Sequence, residues 1–189
     1  GMTAPGRQAD FVILDNVTDL TVVDVYHCGK KIIKDEKMEV KPCPPHLKNT
    51  VHVSGFSEER LKLKHSGEKA HVIQMLEKQI VTKHIIEEVP CAEKDGEKYF
   101  ESNEEYQKIA VIERHKNTGK MGVGIVKGYG IRGGAIASSV SHDSHNIIVV
   151  GDNDHDMALA VKEMIRTQGG YTLVCNGEIY GTLPLPVMG

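Results

Sequence analysis

Short runs rich in β-branched residues follow one another through the second half of this chain, and that succession constrains its fold most strongly. Glycine or polar turn residues separate the runs, as is typical of consecutive strands. The last two runs flank Asn176 and Gly177, a pair favoured in type I′ hairpin turns. We therefore expect a sheet built largely from strands that are neighbours in sequence. The runs cover residues 108–113, 122–126, 135–140, 146–150, 171–175 and 178–183.

One segment has the clear spacing of a helix. Between residues 153 and 168, Met157, Ala160, Val161 and Met164 form an apolar stripe with helical periodicity. An acidic or amide residue can cap the start of this segment, and two glycines can end it. Because strands outnumber helices, the sequence predicts an α+β fold with a mostly antiparallel or mixed β-sheet and few flanking helices.

The beginning of the chain has a pattern of its own. Residues 9–15, 22–28 and 31–34 are predicted strands, with Gly29 and Lys30 as the turn between the last two. Three strands of this length bury too little apolar surface to be stable alone. We therefore expect this part to be a fragment of a larger sheet.

Prolines mark a boundary after these strands. Residues 41–47 contain three prolines, which cannot continue a helix or a central strand. This pattern predicts a linker at 41–48 between a first domain at 1–40 and a second at 49–189.

Within the second domain, the segments before residue 108 are less clearly patterned. Residues 49–53 and 61–64 are expected to be extended. Residues 70–88 fit either period, and their β-branched content favours strands. Residues 91–105 are polar, with a turn expected at Asp95 and Gly96.

Composition narrows the class of partner. The net charge is −3 and Lys and Glu alternate along the chain, so no basic surface for nucleic acid or anionic lipid is expected.

The four cysteines include no C-x-x-C pair, which argues against a zinc knuckle or a disulfide framework. No apolar run approaches the roughly 18 residues of a membrane helix, and no signal segment is apparent. We expect a cytoplasmic protein without a nucleic acid or membrane partner.

The densest polar cluster lies at residues 138–146, between two predicted strands, where functional loops are common. His142, Asp143 and His145 are candidate catalytic residues, since imidazole and carboxylate groups act as acids, bases and metal ligands. Ser141 is a candidate for substrate binding. Two other interpretations stay open: a metal site, which would make the chain a small metallohydrolase, and a turn held by hydrogen bonds.

Two further segments have functional alternatives. Glu113, Arg114 and His115 end a predicted strand, and alternation along the strand sends the side chains of Glu113 and His115 to one face. All three residues are candidates for substrate binding. The plainer alternative is that they form an ion pair at the surface. Residues 119–134 contain seven glycines but match neither phosphate-binding fingerprint. Close strand packing and a sharp turn explain those glycines better.

Two parts of the chain resemble known proteins. Residues 4–12, APGRQADFV, resemble the segment by which amidohydrolases return from their catalytic barrel to a small β-sandwich. A more specific series resembles the C-terminal domain of bacterial and archaeal-type adenine deaminases. It comprises residues 110–115, 122–124, 133–140, 141–146, 156–158 and 183–186, with the motifs AVIERH, SHDSHN and LPLP.

The resemblance implies that residues 1–40 end an incomplete amidohydrolase β-sandwich and that residues 49–189 form the adenine deaminase C-terminal domain. It also implies a parent enzyme of purine salvage that hydrolyses adenine to hypoxanthine and ammonia, with divalent manganese, iron or zinc held in its barrel. This sequence contains no H-x-H pair and is too short for a barrel of about 250 residues. We therefore expect no metal in this part and no activity of the chain alone. We also expect the parent enzyme to be a homo-oligomer.

The role of this part within such an enzyme has two possible forms. The loop with His142, Asp143 and His145 is expected to face the active site, with Glu113, Arg114 and His115 as weaker candidates. The alternative is an assembly, oligomerisation or lid module without catalytic residues.

Overall fold

The computed structural model describes residues 4–32, 42–65 and 67–189. The chain divides into two compact units, Gly1–Pro42 and Cys43–Gly189. The predicted linker at 41–48 begins outside the described residues, and Pro45–Leu47 within it forms a short 3-10 helix.

The first unit is a three-stranded antiparallel sheet in the order β1 (Phe11–Leu14), β2 (Val22–His27) and β3 (Lys30–Ile32). The hairpin turns at Cys28 and Gly29, one residue before the predicted pair, because His27 is the residue that pairs with Lys30. Cys28 and Gly29 have φ angles of 50° and 75°, as a type I′ turn requires. The end of the strand predicted at 31–34 lies outside the described residues.

The second unit is built around an eight-stranded sheet. Its described part contains ten strands, and eight of them form one sheet in the order β13-β12-β10-β11-β8-β9-β4-β5. Each neighbouring pair in this sheet is antiparallel except β4 with β9. The predicted α+β fold with a mostly antiparallel, mixed sheet is confirmed. The strands are β4 (Ala70–Met75), β5 (Thr82–Glu87), β6 (Cys91–Lys94), β7 (Glu97–Phe100), β8 (Tyr106–Ile112), β9 (Met121–Lys127), β10 (Gly134–Ser138), β11 (Ile147–Gly151), β12 (Gly170–Cys175) and β13 (Glu178–Pro184).

Three expectations about the earlier segments need correction. Residues 91–105 contain the separate β6–β7 hairpin, around the turn that was predicted at Asp95 and Gly96. Of residues 61–64, Leu61 departs from the expected extended conformation, because it ends a 3-10 helix, Glu58–Leu61, and is buried in the core. Lys62 is extended as expected, and Lys64 pairs with Tyr99 in an antiparallel bridge. Residues 49–53 form no ladder; the His52 backbone N–H donates instead to the Arg114 carbonyl at 2.8 Å.

The single α-helix among the described residues, α1 (Asp154–Thr167), packs on one face of the sheet against β10 to β13. Met157, Ala160, Val161 and Met164 are fully buried there, as their spacing predicted. The Asn153 side chain accepts the Asp156 backbone N–H at 2.8 Å and so caps the helix start. Within the described residues, no helix combines the length and the apolar composition that crossing a membrane requires.

Acidic residues at the start of α1 hold the neighbouring turns. Asp152 accepts the Gly134 backbone N–H at 3.0 Å, and Asp156 accepts that of Gly177 at 2.9 Å. Asp154 forms an ion pair with the buried Lys108. The helix start is therefore fixed to the glycine-rich segment and to the β12–β13 hairpin, which supports the structural interpretation of those glycines.

The opposite face of the sheet carries no helix among the described residues. Side chains alternate along β12, where Thr172 and Val174 are buried while Tyr171 and Leu173 are exposed. The Thr172 hydroxyl lies against Met164 of α1, so Tyr171 and Leu173 belong to the other face. Tyr171 is 37% exposed and Leu173 is 46% exposed. We call this surface, including Ile73, Val111, Ile136 and Ile148, the open face.

Candidate functional site

Pairing of β8 with β11 brings the two predicted polar segments together. β8 ends at Ile112, which pairs with Ile147 at the start of β11. Residues 113–115, which follow β8, therefore lie beside the loop that precedes β11. The His115 ring Nε2 lies 2.9 Å from the Ser144 carbonyl oxygen, so the two segments are in direct contact.

Arg114 anchors this contact from inside the protein and is 1% exposed. Its Nε donates to the His145 carbonyl, its Nη1 to the Thr50 carbonyl and hydroxyl at 3.3 and 3.2 Å, and its Nη2 to the Met188 carbonyl at 3.0 Å. Burial lowers the pKa of the guanidinium. The alternative of a surface ion pair is wrong for this residue, because it is buried and these acceptors are neutral. Arg114 instead ties three distant segments together.

Glu113 organises the turn that follows β8. Its carboxylate accepts the backbone N–H groups of Thr118 at 3.0 Å and Lys116 at 2.7 Å, together with the Thr118 hydroxyl at 2.8 Å. These donors, the Thr118 and Lys116 N–H groups first, lower the pKa of Glu113 from 4.5 to about 2. The carboxylate is therefore ionised at neutral pH and engaged within the chain.

His142 and Asp143 project into solvent from the loop between β10 and β11. Their side chains are 97% and 92% exposed, and His142 Nδ1 lies 3.0 Å from Asp143 Oδ1. The loop itself is held by its backbone, where the His145 N–H donates to the Ser141 carbonyl at 2.7 Å. Asp143 and His145 adopt φ angles of 66° and 48°. This arrangement presents the imidazole and carboxylate of residues 142 and 143 without enclosing them in a cleft.

A polar network around Lys127 was not foreseen from the sequence. The Lys127 ammonium lies 3.0 Å from the Tyr106 hydroxyl, 2.9 Å from Glu87 and 3.1 Å from Glu105. Hydrogen bonds to Tyr106, Glu87 and Glu105, in that order, raise the pKa of Lys127. The partners come from different strands, so only knowledge of the strand order could have revealed the network. It joins β5, β8 and β9.

The open face contains two apolar clefts, each of about 380 Å³. The first lies between Tyr129, Leu173 and Tyr180, and the second between Ile73, Val126 and Tyr171. His142, Asp143 and His145 line neither of them. Both clefts belong to one continuous surface, because Ile136 and Tyr129 border both.

Within residues 4–32, 42–65 and 67–189, one group of three potential metal ligands converges, and it consists of Asp10, His27 and Cys28. His142, Asp143 and His145 do not form such a group. The sequence predicted no role for any of these three residues. Phe11 pairs with Tyr26, and this pairing brings Asp10 beside the hairpin turn. The pairing of these two strands was therefore the signal from which Asp10 could have been identified.

The sequence matches a family model over residues 79–189, and that family is described as the adenine deaminase C-terminal domain. The chain belongs to this family. The match contains every candidate residue from Glu113 to His145. Asp10, His27 and Cys28 lie before it.

Three of the curated relatives, all named adenine deaminase, align with the whole of this chain. Those from Desulfitobacterium hafniense, Nitratidesulfovibrio vulgaris and Lysinibacillus sphaericus are 48%, 42% and 37% identical to it. The alignments cover 100% of this chain but 32%, 33% and 33% of the relatives. The chain therefore spans about a third of their length and corresponds to the C-terminal part of an adenine deaminase.

Proposed function

We propose that this chain serves as the C-terminal part of a longer cytoplasmic enzyme that hydrolyses adenine to hypoxanthine and ammonia in purine salvage. Identity of up to 48% to proteins named adenine deaminase, over the whole chain, carries this proposal. The segment at residues 4–12 supports membership of the longer enzyme in the amidohydrolase superfamily.

The described residues do not form a binding site for the catalytic metal of that reaction. Hydrolytic deamination needs an activated water, which a divalent ion such as manganese, iron or zinc supplies when bound. His142, Asp143 and His145 do not converge on one point, and the Asp10, His27 and Cys28 group is exposed on a hairpin turn. We therefore assign the catalytic ion to the part of the enzyme outside this sequence, and expect the chain alone to be inactive.

The role that the geometry supports best for this chain is a packing platform for the rest of the enzyme. An apolar sheet face bearing Tyr171, Leu173 and Ile73 is unusual on a surface that stays in water. The relatives are about three times as long as this chain, so a large body of protein is available to cover that face. In the first unit, all four side chains of the apolar strand Phe11–Leu14 are exposed, which supports a sheet completed by further strands.

The exposed loop between β10 and β11 is our candidate for a contact with the substrate of the longer enzyme. We propose that His142 and Asp143 face the active site of the longer enzyme, since their side chains project away from this chain and are held on a backbone-locked loop. Replacement of either by Ala in the longer enzyme should lower kcat/KM for adenine by about 100-fold or more, the lower end of the range of acid–base contributions. Ser57→Ala, outside the loop, is the control. Unchanged turnover in both loop variants would leave the loop a structural role.

An assembly module is the second candidate, favoured by the same open face. If the open faces of two copies cover each other, the isolated chain should self-associate, because all the residues of that face belong to this chain. Sedimentation of the isolated chain beside the longer enzyme separates the two roles: a monomeric chain supports the platform, and a stable dimer supports assembly.

The reaction itself is tested with the longer enzyme that carries this sequence. Purified enzyme should convert adenine to hypoxanthine with release of one ammonia per turnover. Activity should disappear after removal of divalent metal by a chelator and return with manganese. Turnover that survives complete metal removal would contradict the proposed metal dependence, and an enzyme inert towards adenine in the presence of metal would contradict the proposed reaction.

A further inference from the structure

The β2–β3 hairpin gathers a thiol, an imidazole and a carboxylate at one point of the first unit. We propose that Cys28 and His27 bind a thiophilic divalent cation of the zinc class, with Asp10 orienting the imidazole from behind. This site is separate from the catalytic metal discussed above, and it does not rest on the proposed function.

The spacing of the two ligand atoms matches a shared zinc ion. Cys28 Sγ lies 3.6 Å from His27 Nε2. With Zn–S of about 2.3 Å, Zn–N of about 2.05 Å and a tetrahedral angle of about 109°, the two ligand atoms should be about 3.5 Å apart. The separation of the sulfur and the nitrogen is therefore close to that of two ligands of one zinc ion.

Asp10 fixes the imidazole in the tautomer that a metal requires. His27 Nδ1 lies 3.0 Å from Asp10 Oδ1, and a proton on Nδ1, which a neighbouring carboxylate favours, leaves the lone pair of Nε2 free on the side of Cys28. A carboxylate behind a metal-ligating histidine is a common supporting arrangement. Asp10 Oδ1 also accepts the Cys28 backbone N–H at 2.7 Å, and Gln8 donates to the other oxygen. The carboxylate thus links both ligands.

The hairpin turn preorganises the pair. Cys28 and Gly29 hold the positive φ angles of the type I′ turn, and the Gly29 N–H donates to the Ala9 carbonyl at 2.9 Å. The His27 side chain is 66% exposed, which leaves room for two further ligands, water or a donor from elsewhere. Binding replaces the Cys28 thiol proton, which passes to solvent, with a sulfur–metal bond.

A close pair of histidines on the eight-stranded sheet serves as an internal comparison. His71 Nδ1 lies 2.7 Å from His84 Nε2 on β4 and β5. Two imidazoles can also bind zinc, but they give no thiolate signal. A spectroscopic probe that reports sulfur ligation therefore distinguishes the two places.

The test uses the metal-free 189-residue chain, titrated with Co²⁺ as a spectroscopic probe and with Zn²⁺ by calorimetry. Co²⁺ should produce a near-ultraviolet thiolate-to-metal charge-transfer band that saturates at one ion per chain, and Zn²⁺ should abolish it. Cys28→Ser should remove the band, and Asp10→Asn should weaken Zn²⁺ binding by about 10-fold or more. Cys175→Ser and His84→Ala should leave the band unchanged.

Alkylation gives a second measurement that does not depend on how the variants fold. Zn²⁺ should slow the reaction of iodoacetamide with Cys28 at least about tenfold while leaving the exposed Cys175 unaffected, as mass spectrometry of the peptides would report. A band that persists in Cys28→Ser, absence of any band at saturating Co²⁺, or equal protection of Cys28 and Cys175 would overturn the proposal.

Discussion

Glu113 stabilises the turn after β8 through its charge. Its carboxylate accepts N–H groups of Lys116 and Thr118, and its pKa is lowered to about 2 in the folded chain. A group whose pKa is lower in the folded state than in the unfolded state stabilises the fold when it is ionised. The contribution of Glu113 is therefore complete above pH 4.5 and is lost as the pH falls from 4.5 towards 2.

Replacement of Glu113 by Gln should lower the free energy of unfolding at neutral pH, because the amide accepts these hydrogen bonds less strongly. The difference from the unmodified chain should shrink as the pH falls from 4.5 towards 2. Urea unfolding at a series of pH values measures it. Glu88→Gln, at an exposed site, is the control. A difference that stays constant across that window would show that the charge of Glu113 contributes nothing.

The sequence predicted Glu113, Arg114 and His115 as candidates for substrate binding but could not show what each side chain contacts. The acceptors of Arg114 belong to Thr50, His145 and Met188. Their positions are distant in sequence, and tertiary structure alone brings them together. Burial of Arg114 was unforeseeable for the same reason.

At the scale of elements, two glycines on strands differ in how closely the neighbouring backbone approaches them. A Cβ at Gly134 on β10 would collide with the Val174 carbonyl oxygen of β12, whereas one at Gly122 on β9 would meet nothing within 4 Å. Gly122 also avoids the left-handed region. The two glycines are equivalent in sequence pattern, but they differ in what faces them across the sheet.

Gly134→Ala should therefore lower the free energy of unfolding by about 3 kcal/mol or more, because a backbone carbonyl cannot move aside easily. Gly122→Ala should change it by less than about 0.5 kcal/mol. Urea denaturation followed by far-ultraviolet circular dichroism measures both. Equal effects of the two substitutions would contradict the strand pairing of β10 with β12.

Local patterns predicted the elements well where the signal was local. The α1 helix, the β12–β13 hairpin at Asn176 and Gly177, and the strands from β8 to β11 follow from periodicity and turn residues. The β6–β7 hairpin was missed because its strands are short and polar. Strand order was beyond the sequence, since the parallel pairing of β4 with β9 joins elements far apart in the chain.

At the scale of the whole molecule, the open face should behave differently in the isolated chain and in the longer enzyme. Leu173→Glu should change the stability of the isolated chain by less than about 1 kcal/mol, because this side chain is 46% exposed. In the longer enzyme the same charge would be buried against the covering body, and should cost roughly 2 kcal/mol or more. Thermal unfolding of both forms measures the contrast.

Ile80→Glu provides the matched control for that contrast. Ile80 is fully exposed between β4 and β5, so its substitution should be tolerated in both forms. If Leu173→Glu is tolerated equally in the isolated chain and in the longer enzyme, the open face is not a packing surface for the rest of the protein.

We propose that this chain supplies a packing platform and that the remainder of the longer enzyme supplies the metal and the chemistry. The most direct test is the release of ammonia from adenine by the purified 189-residue chain, with manganese, iron or zinc added, beside the longer enzyme at equal concentration. We predict no release above the enzyme-free rate by the chain alone and full turnover by the longer enzyme. Turnover by the chain alone at a rate within about tenfold of the longer enzyme, a barrier difference of about 1.4 kcal/mol, would contradict the account.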